Sequence, residues 1–352
     1  MYRLKALFLC FILLAQFPKA FAFETDQYNL PPVPLAGIGD EVTDYAADNI
    51  EKAFEKINAK ILERQDCLEK KTKRGNCDSV EKETAKLKYL RSETAIAKEV
   101  FRLLGDGIPP FTNSGTWMEQ HEFKAQPARY KTSFDDTIFK AFPSDYLMIS
   151  HTVNLYGSQF GTDKIAHFFQ QGFTYYKIVE RAKAKGLTEE QSTRKANEWG
   201  QKTERTYYGN LISGLYSNGD LAANFAGMKF YQGLTREIKI GGKTRAAILI
   251  LDDGFWKFNA PETLSENLLK PLISDHFNEA LNPSIFIKLF RFDSTVRKIV
   301  GKKSCPQWRE NFPNMTGDDF AAVTENLKLW HGENYGHRNS DRFITIADTC
   351  FE

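Results

Sequence analysis

Along most of this chain apolar residues recur three or four apart, with charged residues filling the gaps, which is the spacing of amphipathic helices. Ile50, Ala53, Phe54, Ile57 and Ile61 form one stripe. Leu87, Leu90, Ala97, Val100 and Phe101 form the next, which stops at Gly105. A short charged turn separates them, so residues 45–105 predict an antiparallel helical hairpin. Asp78 and Glu81 have capping-box spacing at the start of its second arm. Ahead of it, residues 23–44 carry Pro31, Pro32, Pro34, Gly37 and Gly39 and are expected to lie extended over the surface. Behind it, residues 106–150 are broken by Pro109, Pro110, Gly115, Pro127 and Pro143 and read as loop with short helical pieces.

The centre is more regular. Ile165, Phe168, Phe169, Gly172, Phe173, Tyr176 and Val179 make one stripe. A second helix starts near Thr188 and carries Ala196, Trp199, Gly200, Thr203, Tyr207 and Tyr208; a third begins at Asp220 with Ala223, Phe225, Gly227 and Met228. Between Ile238 and Phe258 the period shortens to that of strands. Ile238-Lys239-Ile240, the pair Gly241-Gly242, and Ala246 to Leu251 predict one β-hairpin, followed by a strand-ending turn at Asp252-Asp253-Gly254. Helical patterns resume from about Leu264 to Val300, and the last residues mix Pro, Gly and aromatics. The fold class is therefore mainly α, with a main helical domain over 106–352 and one small β-hairpin near 238–258.

Residues 1–22 have a different character. Arg3 and Lys5 precede an apolar run from Ala6 to Ala15, and Ala20-Phe21-Ala22 closes the segment. That order is a secretory signal with cleavage before Phe23. The run is shorter than the roughly 20 apolar residues of a membrane span. Its removal takes away Arg3, Lys5 and Lys19 and moves the formal charge from +2 to −1. A nearly neutral chain has no electrostatic case for binding nucleic acid or an anionic membrane. No later stretch is apolar for long enough to anchor the mature chain in a membrane, and the expected location is periplasmic or secreted.

Four cysteines remain after cleavage: Cys67, Cys77, Cys305 and Cys350. An even number in an oxidising compartment reads as two disulfides. Cys67 and Cys77 flank the charged turn of the helical hairpin, which favours a local bridge at its tip. Cys305 is then left with Cys350, tethering the C-terminal tail. Zinc is the competing use, but no C-x-x-C occurs and no histidine lies near the first pair.

Candidate chemistry gathers on the three central helices. Asp163 and His167 are four apart and share one side of a helix start, where the dipole favours a carboxylate. Glu204 falls on the small and aromatic side of its helix, with Gly200, Thr203, Tyr207 and Tyr208, where a carboxyl must find a partner or hold a proton. Asp220 and Asn224 are again four apart, and Ala223 and Gly227 allow a close approach that places Asn224 near the packing seam. These groups are expected to converge on one polar seam. The D-K-x-x-H of Asp163, Lys164 and His167, followed by the D-x-x-A-N-x-x-G of Asp220, Ala223, Asn224 and Gly227, resembles VanZ-like proteins and related small envelope proteins over about a fifth of the chain. The resemblance implies an envelope setting and a shared polar site. VanZ-like proteins are membrane-embedded, whereas these helices carry Lys177, Glu180, Arg181, Lys183 and Lys185.

Two further clusters stand outside that pattern. His276 and Glu279 are three apart on an expected helix, a spacing that can hold one metal ion or line the same pocket as His167. His331, Glu333 and His337 lie in a glycine-punctuated loop without the H-E-x-x-H spacing. No nucleophile elbow, Walker loop or dinucleotide fingerprint occurs.

Two functions fit these residues. One is a hydrolase of a cell-envelope glycan or lipid, with Glu204 as protonated general acid, Asp220 or Asp163 as its ionised partner, and His167 as base or ligand. Lys164, Asn224, Tyr207, Tyr208, His276 and Glu279 are its candidate ligand-binding groups. A metal-assisted form would hold a divalent ion on His167, Asp163 and Asp220. The other is a non-catalytic envelope protein whose polar seam fixes helix packing or holds a ligand.

Overall fold

A computed structural model describes residues 24–69, 77–108, 111–141, 149–206, 209–210, 214–288, 291–328, 334–338 and 340–351. The expected signal peptide, the tip residues 70–76, Tyr207, Tyr208, His331 and Glu333 lie outside the described residues. The fold is mainly α. Helix α1 (Gly39–Glu69) buries Ile50, Ala53, Phe54, Ile57 and Ile61, the stripe that the periodicity marks. It starts at Gly39, ahead of the expected hairpin start at residue 45, with Asp40 and Glu41 in its first turn where the dipole favours them.

The second arm is two helices, α2 (Val80–Leu90) and α3 (Glu93–Leu104). Ser92 makes the break by capping α3 through a bond from Ala95 N. The junction is also a docking point, since Trp256 Nε1 donates to Leu90 O at 3.0 Å and Arg91 Nε to Gly254 O at 3.0 Å. The capping box expected at Asp78 and Glu81 does not form. Ser79 takes the N-cap position, and Asp78 N donates instead to the Glu83 carboxylate at 2.8 Å. Both disulfides form as expected, Cys67–Cys77 and Cys305–Cys350.

The single β-hairpin expected between Ile238 and Phe258 is two. Ile238–Ile240 pairs with Lys243–Arg245 around Gly241-Gly242, and Leu249–Asp252 pairs with Phe255–Phe258 around Asp253-Gly254. Gly241, Gly242, Asp253 and Gly254 all have positive φ, the backbone condition of tight hairpin turns. A third hairpin, Thr152–Leu155 with Ser158–Gly161, leads into the central helices. The expected helix from Leu264 is replaced by short turns, and Ser284–Phe286 pairs with Leu215–Ser217. Regular helix returns only at Phe292–Ile299.

Three further helices frame the core. The first is nearly continuous: α4 (Asp163–Ala166), a π-helical turn (His167–Gln171) and α5 (Gly172–Lys183). Helix α6 (Glu189–Glu204) starts with a capping box between Thr188 and Gln191, and α7 (Asn218–Gly233) is capped by Ser217. Helices α5 and α7 cross at Gly172 and Gly227. A Cβ on Gly227 would stand 1.9 Å from Phe168 O, and one on Gly172 would stand 2.5 Å from Gly227 Cα. The π-helical turn lies at this crossing, between His167 and the glycine contact.

The N-terminal segment departs most from expectation. Residues 24–29 are extended, but they run through the interior rather than over the surface: Glu24, Thr25, Asp26, Gln27, Tyr28 and Asn29 are all buried. Tyr28 OH donates to Ile344 O at 2.6 Å, and its carbonyl accepts from Trp308 Nε1 at 2.8 Å. The strap thereby joins the second apolar cluster, around Phe286, Val296, Cys305, Trp308 and Cys350. No helix among the described residues is long and apolar enough to cross a membrane.

The backbone contact at Gly227 gives a direct test. Gly227→Ala must push two helices apart, and overpacking of this kind costs about 1–3 kcal/mol or more. Urea unfolding should show a loss of at least that size. Unchanged stability would mean that the helices are not in backbone contact.

Candidate functional site

The Lys164 ammonium is fully buried and touches three carboxylates: Asp163 Oδ2 at 2.5 Å, Glu279 Oε1 at 2.6 Å and Asp220 Oδ1 at 2.7 Å. Each arrives by a different route. Asp163 and Lys164 open α4, directly after the hairpin that ends at Gly161. Gly161 is required there, because a Cβ would stand 2.1 Å from both Asp163 Oδ1 and Thr25 Oγ1. Asp220 lies in the first turn of α7, where the dipole favours a carboxylate. Glu279 comes from the loop that the Leu215–Ser217 and Ser284–Phe286 pairing draws over that helix start.

Hydrogen bonds lock the cluster. Ser217 Oγ accepts from Asp220 N at 3.0 Å and donates to Glu279 Oε1 at 2.6 Å, so one cap orients two carboxylates. Thr25 Oγ1 donates to Asp163 Oδ1 at 2.7 Å, and Gln27 Oε1 accepts from Glu279 N at 2.8 Å. The buried strap is therefore part of the site. Glu24, on the same strap, is itself buried beside Asp163 and Glu279.

A second group adjoins the first through Asp220. His167 Nε2 is 3.5 Å from Asp220 Oδ2, and His167 Nδ1 is 3.1 Å from Asn224 Oδ1. Glu204, the last residue of α6, is buried, and its Oε2 has no hydrogen-bond partner. Donor atoms of His167, Glu204 and Asp220 all lie within 4.8 Å of one another. His167 is the most accessible member, with 17% of its side chain exposed against 2% for Asp220.

Burial and charge set the protonation of these groups. Five carboxyls, those of Glu24, Asp163, Glu204, Asp220 and Glu279, share the interior with one lysine and one histidine. Burial would pull the Lys164 ammonium down, but Asp163, Asp220 and Glu279 together hold it well above its ordinary value. Burial, with the Asp220 charge added, raises Glu204 far above the usual carboxylate range. Its place at a helix C-terminus works in the same direction. Burial likewise raises Glu24, with Glu279 next in effect. It pushes Glu279 up to about 7 despite the adjacent lysine.

The expected convergence of Asp163, His167, Glu204, Asp220 and Asn224 is met, with a division of labour that spacing does not reveal. Asp163 and His167 share a helix side, yet Asp163 turns to Lys164 and Thr25 while His167 turns to Asp220 and Asn224. Asp163 is therefore not the third donor beside His167; Glu204 is. His276 and Glu279 do not share a helix face. A 3-10 turn over Asp275–Phe277 ends before Glu279, which enters the Lys164 cluster. His276 packs its ring edge-on against Tyr335 and its Nδ1 lies 2.9 Å from Ser274 Oγ. His337, the described member of the third cluster, lines a separate cavity of about 690 Å³ with Glu325, Asn334 and Asp341. Glu24, Thr25 and Gln27 escaped the sequence reading, since nothing periodic marks a buried extended strap. The Ser217–Asp220 cap spacing was visible and could have drawn attention to Ser217.

Comparison with protein-family models, with curated proteins and with solved structures finds no match for this chain. The likeness to VanZ-like proteins rests on the residues named for it alone.

These shifts fix the sign of a pH effect. Glu24, Glu204 and Glu279 are raised, so each contributes stability that is present below its ordinary value near 4.5 and is lost as pH rises through the folded value, about 7 for Glu279. The surface carboxyls that are lowered, such as Asp78 and Asp319, act below that window. Urea unfolding between pH 4.5 and 8 should show stability falling as pH rises. Glu24→Gln, which keeps the neutral shape, should make the fall shallower. A rise in stability across this window would contradict the buried, protonated state.

Proposed function

We propose that the chain is a hydrolase acting on a glycan or lipid of the cell envelope, with His167, Glu204 and Asp220 as its reacting groups. One observation carries the reading: Glu204 Oε2 is buried without a hydrogen-bond partner, within 4.8 Å of a histidine nitrogen and an aspartate oxygen. A carboxyl held in that state keeps its proton at neutral pH, and an acid beside an ionised carboxylate is the pairing that cleavage of a glycosidic or ester bond needs. Asp220 is the acceptor, steadied by Lys164 and Ser217. On an ester, a water oxygen attacks the carbonyl carbon and gives a proton to Asp220, a step that an acid and a base within 4.8 Å of each other can serve. The bond to the leaving oxygen breaks, and that oxygen takes the Glu204 proton. His167, the exposed edge of the group, returns protons between solvent and the interior.

The envelope setting draws on the expected signal segment, the two disulfides and the VanZ-like pattern. The alternative, a non-catalytic protein with a buried polar seam, draws on the near-complete burial of Lys164 and its partners.

Glu204 separates the two. As a general acid it stores unfavourable burial, so Glu204→Ala should leave stability within about 1 kcal/mol of the parent or above it. Glu204→Gln should abolish release of reducing ends from wall glycan or of fatty acid from phospholipid. A large stability loss in Glu204→Ala, or parental turnover in Glu204→Gln, contradicts the hydrolytic reading.

A further inference from the structure

We propose that His167, Glu204 and Asp220 form a binding site for a divalent transition-metal ion of the zinc or manganese class. This deepens the hydrolytic reading and rests on it only for the use made of the ion. Three observations lead to it.

The first is the unpartnered Glu204 Oε2, which is buried and lies among the other two donors. An acceptor left bare in the interior is costly, and a proton or a cation must satisfy it.

The second is a distance. His167 Nε2 and Asp220 Oδ2 stand 3.5 Å apart. That is longer than an N–H···O hydrogen bond, which runs from about 2.7 to 3.2 Å. It matches the edge of a tetrahedron around an ion with ligand distances of about 2.0–2.2 Å, which is roughly 3.4 Å.

The third is the partner of the other ring nitrogen. His167 Nδ1 lies 3.1 Å from Asn224 Oδ1, a carbonyl oxygen that can only accept. Nδ1 therefore carries the hydrogen, and in the neutral ring the Nε2 lone pair faces a carboxylate. Metal-bound histidines have this arrangement, with the second nitrogen donating to an oxygen that fixes the tautomer.

The other acidic group, Glu24, Asp163 and Glu279, already has the Lys164 ammonium bonded to two of its members. In the His167 group Lys164 touches only one member, through the far oxygen of Asp220, and the group includes a nitrogen ligand. Two carboxylates with one imidazole suit zinc and manganese better than calcium, which prefers an all-oxygen shell. An ion held there by His167, Glu204 and Asp220 would take the place of the Glu204 proton and would supply Lewis-acid chemistry to the hydrolytic reading.

The test is calorimetric titration of the purified, chelator-treated full chain with zinc and then manganese, with no substrate present. Binding is thereby read apart from hydrolysis, and failure of either reading leaves the other measurable. The expected result is one ion per chain. Glu204→Gln and His167→Ala should each weaken binding at least 100-fold. Asn224→Ala should weaken it 10- to 100-fold through the lost Nδ1 partner. Glu204→Gln keeps the shape of the protonated side chain and is expected to fold; His167 is partly exposed and gives a second reading if it does not. No binding by the parent chain, or binding as tight as the parent's in both Glu204→Gln and His167→Ala, would overturn the proposal.

Discussion

Three carboxylates around one buried ammonium set the geometry of everything near them. Lys164 has no solvent to fall back on, so its charge is stable only while Asp163, Asp220 and Glu279 remain in contact with it. Those residues belong to a helix start, a second helix start and a loop. Holding them together therefore fixes how α4, α7 and the loop around Glu279 meet. Buried ion pairs of this kind are weak evidence for net stability, because desolvation offsets most of the attraction. They are strong evidence for placement, because moving one partner exposes the others to an uncompensated charge.

That placement explains why the histidine and the unpartnered glutamate lie where they do. Asp220 belongs to both groups: one oxygen faces Lys164 and the other faces His167. The Lys164 cluster is thus a mount, and the more accessible His167 edge is what it presents. Tyr175 and Gly200 close the far wall. A Cβ on Gly200 would meet the Tyr175 hydroxyl at 1.5 Å, so α5 and α6 approach closely just before the chain reaches Glu204. The glycine contacts at 161, 172, 200 and 227 surround the polar groups and hold them at short range.

Much of this was legible before any coordinates. Helical periodicity marked α1, α3 and the central helices because their buried stripes are long and regular. Spacing and helix faces also singled out Asp163, His167, Glu204, Asp220 and Asn224, whereas Lys164 entered only through the resemblance to VanZ-like proteins. Two kinds of information were missing. The strap at 24–29 is buried though polar, because its partners, Asp163, Glu279 and Trp308, are more than a hundred residues away. The segment after Leu264 has apolar residues at near-helical spacing, but Pro271, Pro283 and the pairing of Ser284–Phe286 with Leu215–Ser217 hold it in turns and extended chain. Local pattern cannot see a strand partner seventy residues earlier. For the same reason Glu279 was paired with its neighbour His276, when its true partner is Lys164.

The claim on which the rest depends is that the Lys164 charge holds the site together. Lys164→Met tests it directly, since methionine nearly matches the length and removes only the charge. At pH 7 the substitution leaves carboxylates buried without a counter-charge, and unfolding by urea should show a loss of at least about 3–5 kcal/mol. Below the usual carboxylate range near 4.5 the same groups take up protons, and most of that loss should be recovered. A variant as stable as the parent at pH 7, or a deficit that stays constant down to acid pH, would contradict the account.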